Sequence, residues 1–182
     1  MNKYAFLENV PGLSVDNYVG VFNDGEWENI IAGCDGVDAV MDYAKKLISE
    51  GAELINLCGD FTEENVKELE AFAPGKVTAH YAAYTPKEMA KLEALSQYVE
   101  YVMIIFGNVE EPHLVELNSP EMHTCAVFVK DVDMAVSVAQ EYAKKGIDGI
   151  ELCSGFHEEE TNKVIAAVEE IDSKVPVGSN GL

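Results

Sequence analysis

Apolar residues recur at helical spacing in two stretches of the chain. In the first stretch they lie three or four residues apart and form one stripe: Val37, Val40, Met41, Ala44, Leu47 and Ile48. The second stretch repeats the stripe: Val132, Ala135, Val136, Ala139, Tyr142 and Ala143. Gly51 and Gly146 follow the two stripes, and glycine tolerates the left-handed conformation that closes a helix. The pattern therefore predicts two amphipathic helices.

Short apolar runs surround these helices and predict strands. A run follows each closing glycine, at residues 54–58 and 149–153, and runs of this length between helices are typical of buried parallel strands. A second helix is predicted after each run. Further strands are predicted at 4–7, 27–32, 76–81, 101–106, 123–129 and 174–178. A helix at 86–97, opened by Thr85 with Pro86 in its first turn, is predicted to link the two halves.

The two halves match each other without a gap. Identical residues recur at a constant offset of 95 positions, including Val37 and Val132, Asp38 and Asp133, Gly51 and Gly146, Cys58 and Cys153, and Phe61 and Phe156. This self-similarity indicates a tandem duplication. We predict an α/β fold of two β-β-α-β-α-β repeats, 1–97 with the linker helix and 98–182, related by a pseudo-twofold axis. Their sheets are mostly parallel and flanked by helices; whether the sheets merge is left open.

Composition narrows the choice of partners. The chain of 182 residues has 33 acidic and 12 basic residues and a formal net charge of −21. The electric field of this negative charge repels phosphate backbones and anionic lipids, so neither nucleic acid nor a membrane is an expected partner. The cysteines are widely spaced and form no C-x-x-C pair: Cys34, Cys58, Cys125 and Cys153. We expect reduced thiols in a cytoplasmic protein, either a monomer or a homodimer.

Ligands of parallel α/β sheets bind beyond the carboxyl ends of the strands. In this chain the segments 57–63 and 152–158 occupy that place, where a following helix offers free backbone N–H groups. The strand-end loops are therefore the predicted site.

The second repeat carries Ile-Glu-Leu-Cys-Ser-Gly-Phe at 150–156 and Lys-Val-Pro-Val-Gly at 174–178. This pattern resembles a family of short bacterial proteins described only as a domain of unknown function, whose members usually carry one copy. The resemblance implies a duplicated α/β domain and supplies no activity. The first repeat departs from the pattern, with Asn56 in place of the glutamate and Asp60 in place of the glycine. If the motif is functional, the first repeat has lost or changed that function.

Eight residues are candidates for chemistry. Glu151, Cys153 and His80 are the candidate catalytic residues. The candidate ligand-binding residues are Asn56, Cys58, Asp60, Ser154 and His157. Six of them also have a structural interpretation: Cys58 and Cys153 as small buried hydrophobic residues, Glu151 as a hydrogen-bonded core carboxylate, Asp60 as a helix cap, His157 as a surface residue and His80 as a structural histidine.

Three functional hypotheses follow, with a purely structural or oligomerising role as a further alternative. The first is a small-molecule binding protein with its site at the strand-end loops. The second is a lyase or isomerase acting on a small carbonyl compound, with Glu151 as the acid/base. The third is a metal site built from Cys58, Cys153, His80 or His157, and it is the weakest because no local spacing encodes ligand geometry. Whether the protein is an enzyme stays open, and no cofactor or metal is assigned.

Overall fold

The computed structural model describes residues 2–182 and divides the chain into two compact units. The first unit ends at Tyr81 and the second comprises Ala82–Leu182. Each unit contains one five-stranded sheet and its own helices.

The first unit contains seven elements in chain order. They are β1 (Asn2–Asn9), β2 (Val19–Asn23), β3 (Trp27–Cys34), α1 (Val37–Ser49), β4 (Ala52–Cys58), α2 (Glu63–Phe72) and β5 (Thr78–Tyr81). The sheet order is β2-β3-β1-β4-β5, and the pair β2–β3 is antiparallel while the other three pairs are parallel.

The second unit begins with a helix and then repeats this layout. Its elements are α3 (Pro86–Glu93), β6 (Glu100–Phe106), β7 (His113–Asn118), β8 (His123–Val129), α4 (Val132–Lys145), β9 (Gly149–Cys153), α5 (Glu158–Glu169) and β10 (Val177–Ser179). The sheet order is β10-β9-β6-β8-β7, again with one antiparallel edge pair, β7–β8.

The helices of each repeat pack on one face of its sheet. From β3 the chain crosses β1 to reach β4 and then continues to β5, so both crossovers step in the same direction. Right-handed crossovers that step in one direction place their helices on the same face. The predicted stripe of α1 is buried at Val40, Met41, Ala44, Leu47 and Ile48 against that face.

The predicted fold class is confirmed: the chain is α/β, with mostly parallel sheets and a repeated layout. The structure adds one strand to each repeat, β2 and β7, at the antiparallel edge. The linker helix begins at Pro86, with the Thr85 side chain accepting a hydrogen bond from the Glu88 N–H as its cap, and it ends at Glu93 rather than at residue 97. The boundary between residues 97 and 98 stays a prediction.

The face of each sheet opposite the helices is also buried, and it carries polar side chains. In the first unit these are Glu8, Asn29 and Asn56; in the second they include Thr124 and Glu151. Side chains along a strand point alternately to its two faces. The neighbours of these polar residues in the chain point into the helix-packed cores, so the polar side chains point to the opposite face. Buried polar groups need hydrogen-bond partners, so this polar face is where a specific arrangement of side chains is expected.

Leu57 and Leu152 occupy equivalent positions in β4 and β9, and both are fully buried. We expect Leu57→Ala and Leu152→Ala each to lower the free energy of unfolding by about 2–5 kcal/mol, because each removes packed methyl groups and leaves a cavity. Denaturant unfolding measures the change. The control Leu114→Ala, at an exposed position, should change it by less than about 0.5 kcal/mol. A similar cost for all three variants would contradict burial as the cause, and unequal costs for Leu57→Ala and Leu152→Ala would contradict the equivalence.

Candidate functional site

Glu151 lies inside the second sheet with its side chain fully buried. The Tyr84 hydroxyl donates to Oε1 at 2.6 Å, and the Tyr101 hydroxyl donates to Oε2 at 2.6 Å. Tyr101 lies on the neighbouring strand β6, two residues before Met103, which is the register partner of Glu151. Each carboxylate oxygen therefore has its own phenol donor, and such short bonds to a carboxylate are the strong kind.

Tyr84 reaches Glu151 because its backbone is joined to β10. Ala83 and Ser179 exchange two backbone hydrogen bonds of 2.8 and 2.9 Å. Gly178, the register partner of Glu151 on β10, leaves room for the ring: a Cβ there would lie 2.5 Å from the Tyr84 ring. The glycine of the Pro-Val-Gly run is thus required by the close approach of Tyr84.

A buried ion pair holds the helix that follows Tyr84. The Glu88 carboxylate is fully buried in α3 and accepts a hydrogen bond of 2.9 Å from the Val177 N–H of β10. The Lys91 ammonium lies 2.7 Å from Glu88 and 3.1 Å from Glu169 on α5. These contacts attach α3 to the edge strand and so fix the segment that carries Tyr84.

The other predicted residues of the second repeat follow Glu151 along the chain. Cys153 is fully buried, on the same face of β9 as Glu151, two positions further on. Ser154 adopts a positive φ of 70°, and its hydroxyl donates to the Phe106 carbonyl. His157 is exposed and precedes α5, where its N–H donates to Glu160. Glu151 and Cys153 therefore share a face, whereas the side chain of His157 lies at the surface.

Three predicted residues of the first repeat lie together on β4 and β5. Asn56 is the register partner of His80, and its amide donates to the Cys58 sulfur at 3.4 Å. Glu8, a buried carboxylate that the sequence analysis missed, is the register partner of Cys58. The buried carboxylate of the polar face thus lies on β1 in the first repeat, as Glu8, and on β9 in the second, as Glu151.

The interpretation of Asp60 as a helix cap is wrong. Thr62 is the N-cap of α2, with its N–H bonded to Asn65. Asp60 lies in the preceding turn and accepts a hydrogen bond of 3.0 Å from the Asn9 side chain. The error arose because Thr62, a good capping residue, lies two positions nearer the first helical turn.

A second group of reactive side chains lies on the helix-packed face of the second sheet. His123 Nδ1 is 2.8 Å from Glu100, and His123 Nε2 is 3.1 Å from Glu116 and 3.6 Å from the Cys125 sulfur. Together with Tyr142 they line a cavity of about 420 Å³. One potential ligand atom from each of Glu116, His123 and Cys125 lies within 4.8 Å of the other two. None of these residues was among the predicted candidates.

The electrostatics of this group follow from its neighbours. The hydrogen bond that His123 donates to the Glu100 carboxylate is the largest cause that raises the pKa of His123, with a smaller contribution from Glu116. Burial raises the pKa of the Cys125 thiol, against a hydrogen bond from Tyr142 that lowers it. His123 is therefore the residue of this group most easily protonated near neutral pH.

Only part of these two arrangements was accessible from the sequence. The position of Tyr101 at the start of an apolar strand and the His123-x-Cys125 spacing were available signals. Their partners lie on other elements, and only strand register brings them together.

The fold and repeated polar face define a duplicated α/β domain, and comparison with known proteins identifies its family. A profile described as a family of unknown function (DUF6506) matches residues 2–97 and again residues 99–180. The chain therefore belongs to this family and carries two copies of its domain. This confirms the resemblance drawn from the second repeat.

Other comparisons add little. A search of the curated proteins found no match. Among solved structures, the chain is similar to an ABC transporter periplasmic solute binding protein from Actinobacillus succinogenes 130z, crystallised with bound D-allose. The identity is 11%, the match covers 97% of this chain and 77% of that one, and the TM-score is 0.33. A likeness this weak establishes no function. Within residues 2–182, no helix has the length and apolar character needed to cross a membrane.

Tyr84→Phe should destabilise the protein by about 1.5–3 kcal/mol, because it removes a short hydrogen-bond donor from the fully buried Glu151 side chain. The matched control is Tyr142→Phe, which removes a hydroxyl bonded to the Cys125 thiol and should cost about 0.5–1.5 kcal/mol. Denaturant unfolding at neutral pH gives both values. Equal costs would contradict a stronger hydrogen bond at Glu151 than at Cys125.

His123 should titrate above 6.5, its ordinary value, because Glu100 and Glu116 stabilise the protonated ring. The resulting stabilisation is fully present below pH 6.5 and is lost as the pH rises through the raised folded-state pKa. NMR titration in the presence of a chelator measures this pKa. Glu100→Gln should lower it more than Glu116→Gln; the reverse order would contradict the assignment of Glu100 as the main cause.

Proposed function

We propose that this protein binds a small neutral or cationic molecule at the polar face of the second sheet, with Glu151 as the anchoring group. The proposal depends on one observation: a fully buried carboxylate has a tyrosine hydroxyl 2.6 Å from each of its oxygens. A carboxylate is costly to bury, and replacement of its phenol donors by ligand donors would keep it satisfied.

The chemistry of the carboxylate restricts the ligand. Glu151 accepts hydrogen bonds, so the ligand must present hydroxyl, amide or ammonium donors to it. The net charge of −21 adds a field that repels anions. Small polyols, sugars and amines satisfy both conditions, whereas phosphorylated and dicarboxylate compounds do not.

The arrangement of Tyr84 provides a route for exchange. Tyr84 belongs to a segment that two backbone hydrogen bonds and the Glu88 side chain hold at β10. Rotation of the Tyr84 side chain, with its backbone held in place, would withdraw one donor from Glu151 and open its position to a ligand donor, without disturbing the central strands. Within the second unit, the candidates for further contacts are Cys153, Ser154 and His157. In the first unit, Asn56, Cys58, Asp60 and His80 stay candidates for a site of its own. We place the binding in the cytoplasm, where the four free cysteines remain reduced.

Acid/base catalysis on a small carbonyl compound is a second candidate. The specific observation is the pair of short tyrosine–carboxylate bonds of 2.6 Å, which place two phenol donors beside one carboxylate. Glu151 would accept a proton from the carbon next to a carbonyl, and a tyrosine hydroxyl would hydrogen-bond to the carbonyl oxygen.

Thermal-shift screening tests the binding proposal, with panels of polyols and sugars, of amines, and of anionic metabolites. Hits should fall in the first two panels, and isothermal titration should show at least about tenfold weaker binding for Glu151→Gln, since the isosteric amide replaces a carboxylate acceptor. The control Glu116→Gln removes an acid from the helix-packed face and should bind normally. A response to no panel, or to anions only, or equal binding by Glu151→Gln would refute the proposal.

A further inference from the structure

Three ligand atoms of the second unit lie together beside the cavity. They are the Cys125 sulfur, His123 Nε2 and a Glu116 carboxylate oxygen, and all lie within 4.8 Å of one another. Cys125 is buried, His123 is half-buried and Glu116 is exposed. The group therefore extends from the core of the unit to its surface, so an ion can enter from solvent.

Strand register sets these positions. His123 and Cys125 are two residues apart on β8 and point to the same face. Glu116 on β7 is the register partner of Cys125, so its side chain lies on that face as well. Ligands on paired strands are held more precisely than ligands on loops.

The separations fit tetrahedral coordination. Zinc binds sulfur at about 2.3 Å and nitrogen or oxygen at about 2.0–2.1 Å, which places neighbouring ligand atoms about 3.3–3.6 Å apart in a tetrahedron. The observed separations are 3.6 Å from His123 Nε2 to sulfur and 3.1 Å from His123 Nε2 to the Glu116 oxygen. Small side-chain movements would bring all three atoms to coordination distance.

The other nitrogen of His123 has the partner that a metal-binding histidine needs. Nδ1 lies 2.8 Å from Glu100, the register partner of His123 on β6. A carboxylate there fixes the ring with Nδ1 protonated, so that Nε2 presents its lone pair to an ion.

We propose that Cys125, His123 and Glu116 form a transition-metal site of the zinc type, with Glu100 orienting His123 and the fourth position open to the cavity. This site goes beyond the proposed function, since it lies on the helix-packed face, whereas Glu151 lies on the opposite face of the same sheet. Binding releases to solvent the thiol proton of Cys125 and, where the ring is protonated, the Nε2 proton of His123, so that the thiolate and the neutral imidazole become ligands.

The first repeat does not contain this site. Glu28, the register partner of Lys3, takes the place of His123, and Ile30 takes the place of Cys125. Val21, the register partner of Ile30, takes the place of Glu116. A valine and an isoleucine cannot bind a metal ion, so the duplication supplies an internal comparison within one chain.

Cobalt(II) and zinc titrations test the site in the full chain. Cobalt should produce the near-ultraviolet absorption of a cobalt–thiolate bond, and zinc should displace it. Cys125→Ala should abolish this absorption, whereas Cys34→Ala, which removes another buried cysteine, should retain it. Absorption that persists in Cys125→Ala, or its absence from the wild type, would overturn the proposal.

Variants at the partly exposed positions guard against misfolding. Glu116→Gln and His123→Gln should fold, as judged by circular dichroism and melting without metal, and should bind zinc at least about tenfold more weakly. Glu100→Gln should weaken binding about 10–100-fold while keeping the cobalt–thiolate absorption at saturation. Wild-type zinc affinity in folded Glu116→Gln and His123→Gln would also refute the site.

Discussion

The burial of the Glu151 carboxylate is the main constraint on the arrangement of side chains in the second unit. A charge removed from water is tolerated only where hydrogen bonds replace its hydration, and here two tyrosines provide them. One comes from the neighbouring strand; the other comes from a segment ahead of α3 that is joined to β10. Gly178 and the buried Glu88–Lys91 pair serve that second donor by giving it space and a fixed backbone.

Much of the fold could be predicted from the sequence, because the apolar residues whose burial stabilises it recur at the spacing of helices and strands. The stripe from Val40 to Ile48 is buried as its spacing indicates, and Gly146 closes α4 with a φ of 81°. The edge strands β2 and β7 were missed for a physical reason. Most of their residues are exposed or half-buried, so no alternation of apolar and polar residues marks them.

The candidate sites could be predicted only in part. Alternation along β9 correctly placed Glu151 opposite Ile150 and Leu152. Its donors Tyr84 and Tyr101 are 67 and 50 positions away in the chain. Likewise, Glu116 meets Cys125 only because an antiparallel edge strand, invisible to periodicity, sets the register. Local pattern encodes which face a side chain occupies, whereas its neighbours depend on long-range pairing.

The position of Tyr84 has a consequence for how the two copies can be separated. The first family match runs to residue 97, so Tyr84 belongs to the first copy by descent, yet it completes the carboxylate environment of the second. The unit of inheritance and the unit of folding are therefore offset along the chain. A gene cut at the copy boundary would therefore leave Glu151 without one of its phenols.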